Sequence, residues 1–243
     1  MMKRLKIGNA SATEQRPLVA VPMVDETMAD VRQTARMLSQ TAADVVEWRI
    51  DYLSGLCELT ASNIRQVHEI LNKPLLFTWR TAGEGGQLNY HHDSYQMVYQ
   101  RALQAGVDAI DIELALLADQ QALLKLVPEN VKVIGSKHNF DTTPNHLVSL
   151  LMEMTRLPID VVKLAVMPKV ATDVDRVLQA TMTVTANSDL PLITMSMGAL
   201  GMRSREVGYQ YGSQLTFASV KAASAPGQIS LTTLLHKWGE SDV

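Results

Sequence analysis

Short apolar, β-branched runs recur along the chain at 18–21, 44–51, 75–80, 109–113, 131–135, 161–166, 192–195 and 215–220. Their spacing is roughly 30 residues, the length of one strand-plus-helix unit. Several are apolar at nearly every position, as parallel strands covered on both faces are. Between them, apolar residues fall at helical spacing. Met28, Val31, Ala35 and Leu38 follow Thr27, a hydroxyl placed to cap, with Asp30 three residues on. Thr60 precedes Ile64, Val67 and Leu71 in the same way. Thr143-Pro144 has the form of a cap followed by proline at the first helical position. Thr172 and Asp175 suggest another start, ahead of Val177, Leu178 and Thr181. About eight alternations predict an α/β fold, a (β/α)8 TIM barrel. One domain is expected over residues 1–243, with residues 1–16 as an extension before the first barrel strand. An open doubly wound sheet competes, but it usually carries a glycine-rich turn after its first strand. Here that turn is Met23-Val24-Asp25-Glu26.

Composition narrows the function classes. With 47% hydrophobic and 19% charged residues the chain can bury enough surface to fold, which excludes disorder. A net charge of −3 argues against a nucleic-acid partner. Cys57 is the single cysteine, so neither an intrachain disulfide nor a cysteine zinc site is available, and a reducing cytoplasm is the expected location. No apolar run approaches the roughly 20 residues that span a bilayer, and the N-terminus lacks the apolar stretch of a signal peptide. A soluble protein without a membrane partner is expected. The low aromatic content, 5%, suggests an aliphatic core rather than stacked rings.

Barrels carry their chemistry at the C-terminal ends of the strands, so polar residues that interrupt the apolar pattern there matter most. Alternation places Val161, Lys163 and Ala165 on one face and Val162, Leu164 and Val166 on the other. If the second set packs on helices, Lys163 points into the barrel, where burial favours the free amine, a nucleophile toward a ketone. A lysine that pairs with a carboxylate for structural reasons is the alternative. Glu47, Arg49 and Asp51 share one face of the second strand and must satisfy one another or a polar ligand. Arg80 ends the third strand, with Glu84 in the turn Gly83-Glu84-Gly85-Gly86. His138 stands at the mouth after the fifth strand, in either a structural or an acid/base role. For Asp111 and Glu113 charge balance is a better reading than a metal site. Arg205 offers a fork for a carboxylate or phosphate, with Ser224 and Gln228 as neutral donors beside Pro226-Gly227. His91-His92 reads as surface, because no second ligand pair has metal-binding spacing.

Six segments in this order resemble the type I 3-dehydroquinate dehydratase family. They are Glu47-Trp-Arg-Ile-Asp51, Phe77-Thr-Trp-Arg80 with Glu84-Gly-Gly86, Ser136-Lys-His-Asn-Phe140 with Thr143-Pro144, Val162-Lys-Leu-Ala-Val-Met-Pro168, Ser196-Met-Gly198 through Ser204-Arg205, and Ala223-Ser-Ala-Pro-Gly-Gln228. The resemblance implies a (β/α)8 enzyme of the shikimate pathway that dehydrates 3-dehydroquinate to 3-dehydroshikimate without metal or organic cofactor. Lys163 matches the imine-forming lysine, His138 the proton donor and acceptor, and Glu84 the carboxylate that orients it. Arg205, Ser224 and Gln228 match residues that hold the substrate carboxylate and the closing loop. Glu47, Arg49 and Arg80 match residues around the ring hydroxyls. A homodimer is implied. Two positions depart from some relatives: Pro22 replaces a hydroxyl residue, and Asn139 replaces an aspartate after the histidine. The competing readings are a class I aldolase-type lysine-imine barrel, which commonly recognises phosphate, a barrel that senses a ligand without catalysis, and a metal-dependent sugar isomerase using Glu47, Asp111, Glu113 and His138.

Overall fold

The computed structural model describes residues 3–220 and 227–240. Eight strands carry the barrel: β1 (Leu18–Met23), β2 (Val45–Arg49), β3 (Leu75–Thr78), β4 (Ala109–Glu113), β5 (Lys132–Asn139), β6 (Val161–Val166), β7 (Leu192–Ser196) and β8 (Leu215–Ser219). Between and after them lie α1 (Met28–Ser39), α2 (Ala61–Leu71), α3 (His92–Ala105), α4 (Gln121–Leu124), α5 (Leu147–Met154), α6 (Ala171–Thr185), α7 (Met202–Val207) and α8 (Leu231–Lys237). All neighbouring strands from β8 through β1 to β7 pair in parallel. The remaining seam, β7 to β8, closes through Gln214 N–H donating to the Leu192 carbonyl at 2.8 Å and Thr194 N–H donating to Ser213 Oγ at 3.0 Å. The (β/α)8 barrel expected from the alternation is the observed fold.

Alternation along each strand divides the molecule into two apolar regions. Val162, Leu164 and Val166 of β6 face outward against Leu147, Leu151 and Val177 on α5 and α6. Leu18, Ala20, Val45, Leu76, Ala109, Ile134, Val161, Ile193 and Leu215 face inward and fill the lower barrel. Leu5, Ile7 and Ala12 belong to the same inner cluster. They come from an antiparallel hairpin, Lys6–Ile7 with Ala10–Ser11, so the N-terminal segment plugs the floor of the barrel. Gln214 holds this plug: its Oε1 accepts from Leu5 N–H at 2.6 Å, and its Nε2 donates to the Lys3 carbonyl at 3.0 Å.

Several local expectations change. Thr27 and Thr60 cap α1 and α2 as their spacing implies, accepting from Asp30 and Asn63 N–H. Thr143-Pro144 does not start α5, which begins at Leu147; the Thr143 hydroxyl donates instead to the Met167 carbonyl at 3.2 Å. Nor do Thr172 and Asp175 open α6. Asp173 does, reaching back from the first turn to accept from Lys169 N–H at 2.8 Å and Val170 N–H at 3.3 Å. The strand expected over 44–51 ends at Arg49, and Asp51 sits in the 3-10 turn Ile50–Tyr52. The core is also less purely aliphatic than composition implies. Trp48, Phe77, Tyr99, Tyr95 and Trp79 form a continuous aromatic set outside β2 to β4, with ring centroids 4.4–5.8 Å apart.

The Gln214 clamp yields a stability prediction. Gln214→Ala leaves the buried Leu5 N–H without its acceptor and should lower unfolding free energy by about 1–3 kcal/mol. Urea denaturation at neutral pH checks this; an unchanged midpoint would mean that the hairpin is held by packing alone.

Candidate active site

Lys163 lies at the centre of the upper barrel, with its side chain inward between Val161 and Ala165. Its Nζ donates to Asp111 Oδ2 at 2.8 Å and Glu47 Oε1 at 3.3 Å, and stands 4.7 Å from the centroid of the Phe217 ring. Glu47, Asp111, Lys163 and Phe217 come from β2, β4, β6 and β8. They form one layer contributed by alternate strands, as barrel interiors are built. Below this layer the interior is apolar; from it upward, charge dominates.

Arg80 ties the next residues together. Its Nη2 donates to Asp111 Oδ1 at 2.6 Å, and its Nη1 to Glu113 Oε1 at 3.0 Å and Ser136 Oγ at 2.9 Å. Glu113 also accepts from Thr81 N–H and the Thr81 hydroxyl, both at 2.7 Å, which fixes the chain just after β3. From outside the sheet, Tyr99 accepts from Trp79 N–H at 3.0 Å and donates to the Asp111 carbonyl at 2.6 Å. Arg49 forms two bonds of 2.8 Å to Asp51. These pairings give Arg49, Asp51, Arg80, Asp111, Glu113 and Lys163 partners, as burial demands. Burial alone would raise the Asp111 carboxyl, but Arg80 and Lys163 outweigh it and hold this group well below the usual range. Arg80 is shifted further toward its cationic form, because Asp111 and Glu113 outweigh its own desolvation.

His138 and Glu84 meet above this cluster. Glu84 Oε2 lies 2.9 Å from both the His138 backbone N and its ring Nδ1. Burial pushes Glu84 up to about 7, helped by the charge of Glu113 and opposed by Arg80 at 3.6 Å. Burial also pushes the His138 imidazole well below its usual range, with Arg80 and Lys163 adding to the effect. These effects favour the uncharged imidazole, whose Nδ1 is turned to Glu84. The turn carrying Glu84 requires glycine: a Cβ on Gly86 would stand 1.9 Å from the Arg80 carbonyl oxygen. Phe140 covers this turn, its ring stacked beside that of His138 at a centroid distance of 6.4 Å.

Arg205 closes the far side. It is buried, its Nη1 donates to Met195 Sδ at 3.4 Å, and desolvation lowers its pKa to about 10, which leaves it cationic at neutral pH. The cavity runs from Lys163 and Glu47 past His138 and Glu84 to Arg205 and Gln228 and encloses about 660 Å³ including its mouth. Gln228 is carried there by a close approach at Gly227, where a Cβ would stand 2.1 Å from the Gly198 carbonyl oxygen. Of the residues expected from sequence, Glu47, Arg49, Arg80, Glu84, His138, Lys163, Arg205 and Gln228 all line this one cavity. Ser224 lies outside the described residues. Phe140, Met195, Met197 and Phe217 complete the wall and were not singled out from sequence. Alternation along β8 and the chain after β7 carries the signal for Phe217 and Met197. Among the described residues no group of three His, Cys, Asp or Glu side chains is placed to hold a metal ion.

The fold and the cavity together define a (β/α)8 barrel with a lysine-centred pocket at the C-terminal ends of its strands, bounded by paired carboxylates, a histidine and a buried arginine. A model of the type I 3-dehydroquinase family matches residues 19–238. The chain is 39% identical to a 3-dehydroquinate dehydratase of Listeria welshimeri, over 97% of this chain and 96% of that one. It is 38% identical to the 3-dehydroquinate dehydratase of Enterococcus faecalis, over 96% of each. Among solved structures, the type I 3-dehydroquinate dehydratase of Clostridium difficile with covalently modified comenic acid superposes with a TM-score of 0.90. The two are 33% identical, over 98% of this chain and 97% of that one. The Geobacillus kaustophilus 3-dehydroquinate dehydratase gives 0.91 at 30% identity, over 98% and 95%. This chain belongs to the type I 3-dehydroquinase family.

Glu84 makes the stability of the protein depend on pH. A carboxyl raised from 4.5 to about 7 keeps its proton in the folded state where the unfolded chain has lost it. Its contribution is therefore complete below about pH 4.5 and is lost as pH rises toward and through 7. Glu84→Gln should remove this loss. The variant should gain about 1–3 kcal/mol over the parent between pH 5 and 8 by urea titration; parallel pH profiles would contradict the raised carboxyl.

Proposed function

We propose that this chain dehydrates 3-dehydroquinate to 3-dehydroshikimate through an imine on Lys163, with His138 moving the protons. The observation that carries the reading is the buried Lys163 side chain and the His138 imidazole on one cavity that ends at the Arg205 guanidinium, a cation suited to a carboxylate. Family membership supports the reaction, and the covalent modification in the Clostridium difficile relative accords with a nucleophilic site.

The sequence of steps follows from the chemistry of these groups. The Lys163 amine adds to the C3 ketone, and loss of water from the adduct leaves a cationic imine. That cation draws electrons from the neighbouring carbon and acidifies its C2–H. His138 removes this proton, its imidazolium held by the carboxylate of Glu84. The resulting enamine expels the C1 hydroxyl, which takes a proton from His138 and leaves as water. Hydrolysis of the imine then releases product and restores the amine. A placed acid/base contributes about 10²–10⁴-fold to such a reaction, and the covalent electron sink divides one difficult step into easier ones. Arg205 on the substrate carboxylate, with Gln228 and Ser224 in the adjoining loop, selects which C–H faces His138, a positioning effect. Glu47, Arg49 and Arg80 contact the ring hydroxyls from the charged wall. The proposal includes a single barrel domain working as a cytoplasmic homodimer, without metal or organic cofactor.

Rate measurements following the conjugated product test the assignment. Lys163→Ala should reduce turnover to background in a folded barrel, and His138→Ala should lower it by about 10²–10⁴-fold. Arg205→Ala should act on KM, raising it by about 10–100-fold through loss of a charged hydrogen bond. Parental turnover in Lys163→Ala would overturn the mechanism.

A further inference from the structure

Asp111 takes no part in the steps above, yet it is the shortest contact of the lysine amine, at 2.8 Å, and is fully buried. Its two oxygens are used differently. Oδ1 is saturated by Arg80 Nη2 and the Ser136 hydroxyl, each at 2.6 Å. Oδ2 is given to Lys163 Nζ. The backbone is held as well, because Tyr99 donates to the Asp111 carbonyl at 2.6 Å. A carboxylate fixed at one oxygen and at its own main chain presents the other oxygen in one direction. Glu47 is the looser partner of the lysine, at 3.3 Å, and also accepts from the Thr78 hydroxyl at 3.1 Å.

We propose that Asp111 is a positioning residue for Lys163, aiming the amine into the cavity and remaining its counter-ion once the amine has become a cationic imine. This rests on the imine reading of Lys163. In that step the Lys163 ammonium, held by Asp111 and Glu47, first gives one proton to solvent; the freed lone pair forms a C–N bond, the carbonyl π pair moves to oxygen, and a second proton passes from nitrogen to that oxygen. With a further proton from solvent the oxygen leaves as water, and the nitrogen lone pair forms C=N. The nitrogen keeps one N–H and a positive charge. That N–H lies in the plane of the C=N bond, so a carboxylate oxygen that accepts from it fixes the imine plane. The C–H bond to be broken must stand across this plane for its electrons to enter the π system. Asp111 thereby sets which direction of proton removal is productive, without touching the reacting carbon. Because Arg80 also reaches toward Glu84, at 3.6 Å, the carboxylate that aims the lysine and the one that holds the histidine share one cation.

The test compares the parent with Asp111→Asn, Asp111→Glu and Ser136→Ala. Each is incubated with 3-dehydroquinate and borohydride, and the reduced-adduct fraction is read by intact mass per folded molecule, beside kcat. Loss of a charged partner should lower both adduct fraction and kcat of Asp111→Asn by about 10–100-fold, and Asp111→Glu should restore part of each. Ser136→Ala removes two hydrogen bonds, the one given to Asp111 and the one accepted from Arg80, and no charge. It should lower kcat by about 2–10-fold and keeps the proposal testable if the Asn variant does not fold. A purely structural Asp111 would lower the melting temperature and leave the adduct fraction of folded molecules at the parental level. That result, or a parental kcat in both Asp111→Asn and Ser136→Ala, overturns the proposal. No adduct in the parent would overturn the imine reading and this one together; an adduct in the parent, unchanged in the variants, overturns this one alone.

Discussion

Arg80 is a guanidinium buried among carboxylates, and the upper half of the barrel depends on that arrangement. It bonds Asp111 and Glu113 and stands within 3.6 Å of Glu84. Each of those three does something that the others cannot. Asp111 holds the lysine, Glu113 holds the chain leaving β3, and Glu84 holds the histidine. Without a cation there, three like charges would face one another in a space closed to water. Breaking such a buried pair typically costs about 3–5 kcal/mol, although the pair itself adds little net stability. Its value here lies in geometry. One rigid fork gathers three carboxylates, two from β4 and one from the turn after β3.

The lower half of the molecule supplies the stability that this arrangement does not. Its interior is aliphatic and is closed at the floor by Leu5, Ile7 and Ala12 of the hairpin. The outer face of β2 to β4 carries the aromatic set, whose Tyr99 hydroxyl crosses the sheet backbone to brace Asp111 and Trp79. Packing and chemistry are thus joined by a few hydrogen bonds. Within the site, one environment pushes two carboxyls in opposite directions. Asp111, between two cations, is held anionic despite its burial, whereas burial, with Glu113 beside it and Arg80 only loosely paired, raises Glu84 to about 7. In the proposed chemistry a fixed anion serves the cationic imine, and a carboxyl that titrates near neutrality suits a partner that exchanges protons. Divergence of this kind separates electrostatic from acid/base roles in many active sites.

Much of this is legible in the sequence because a parallel barrel makes alternation informative. The bounds of β4 and β6 match the apolar runs at 109–113 and 161–166, and once β6 is placed Lys163 has to point inward. Helix starts with a threonine cap were readable where the cap is local, at Thr27 and Thr60. They were not where a carboxylate inside the first turn does the capping, as Asp173 does, or where a loop threonine bonds a distant carbonyl, as Thr143 does. Asp111 reads as charge balance in sequence because its importance lies in who its neighbours are: Arg80 and Lys163 are 31 and 52 residues away. The aromatic set was hidden for a similar reason, since few rings in composition can still be neighbours in space.

The proposed chemistry of this cavity turns on attack of the Lys163 amine on a ketone. The most direct measurement incubates the parent protein with 3-dehydroquinate and borohydride, weighs the intact chain and maps the modified peptide. A single reduced adduct of ligand mass on Lys163 is the predicted result. A folded protein that consumes 3-dehydroquinate yet yields no adduct, or one that carries the adduct on another lysine, would contradict imine formation at Lys163.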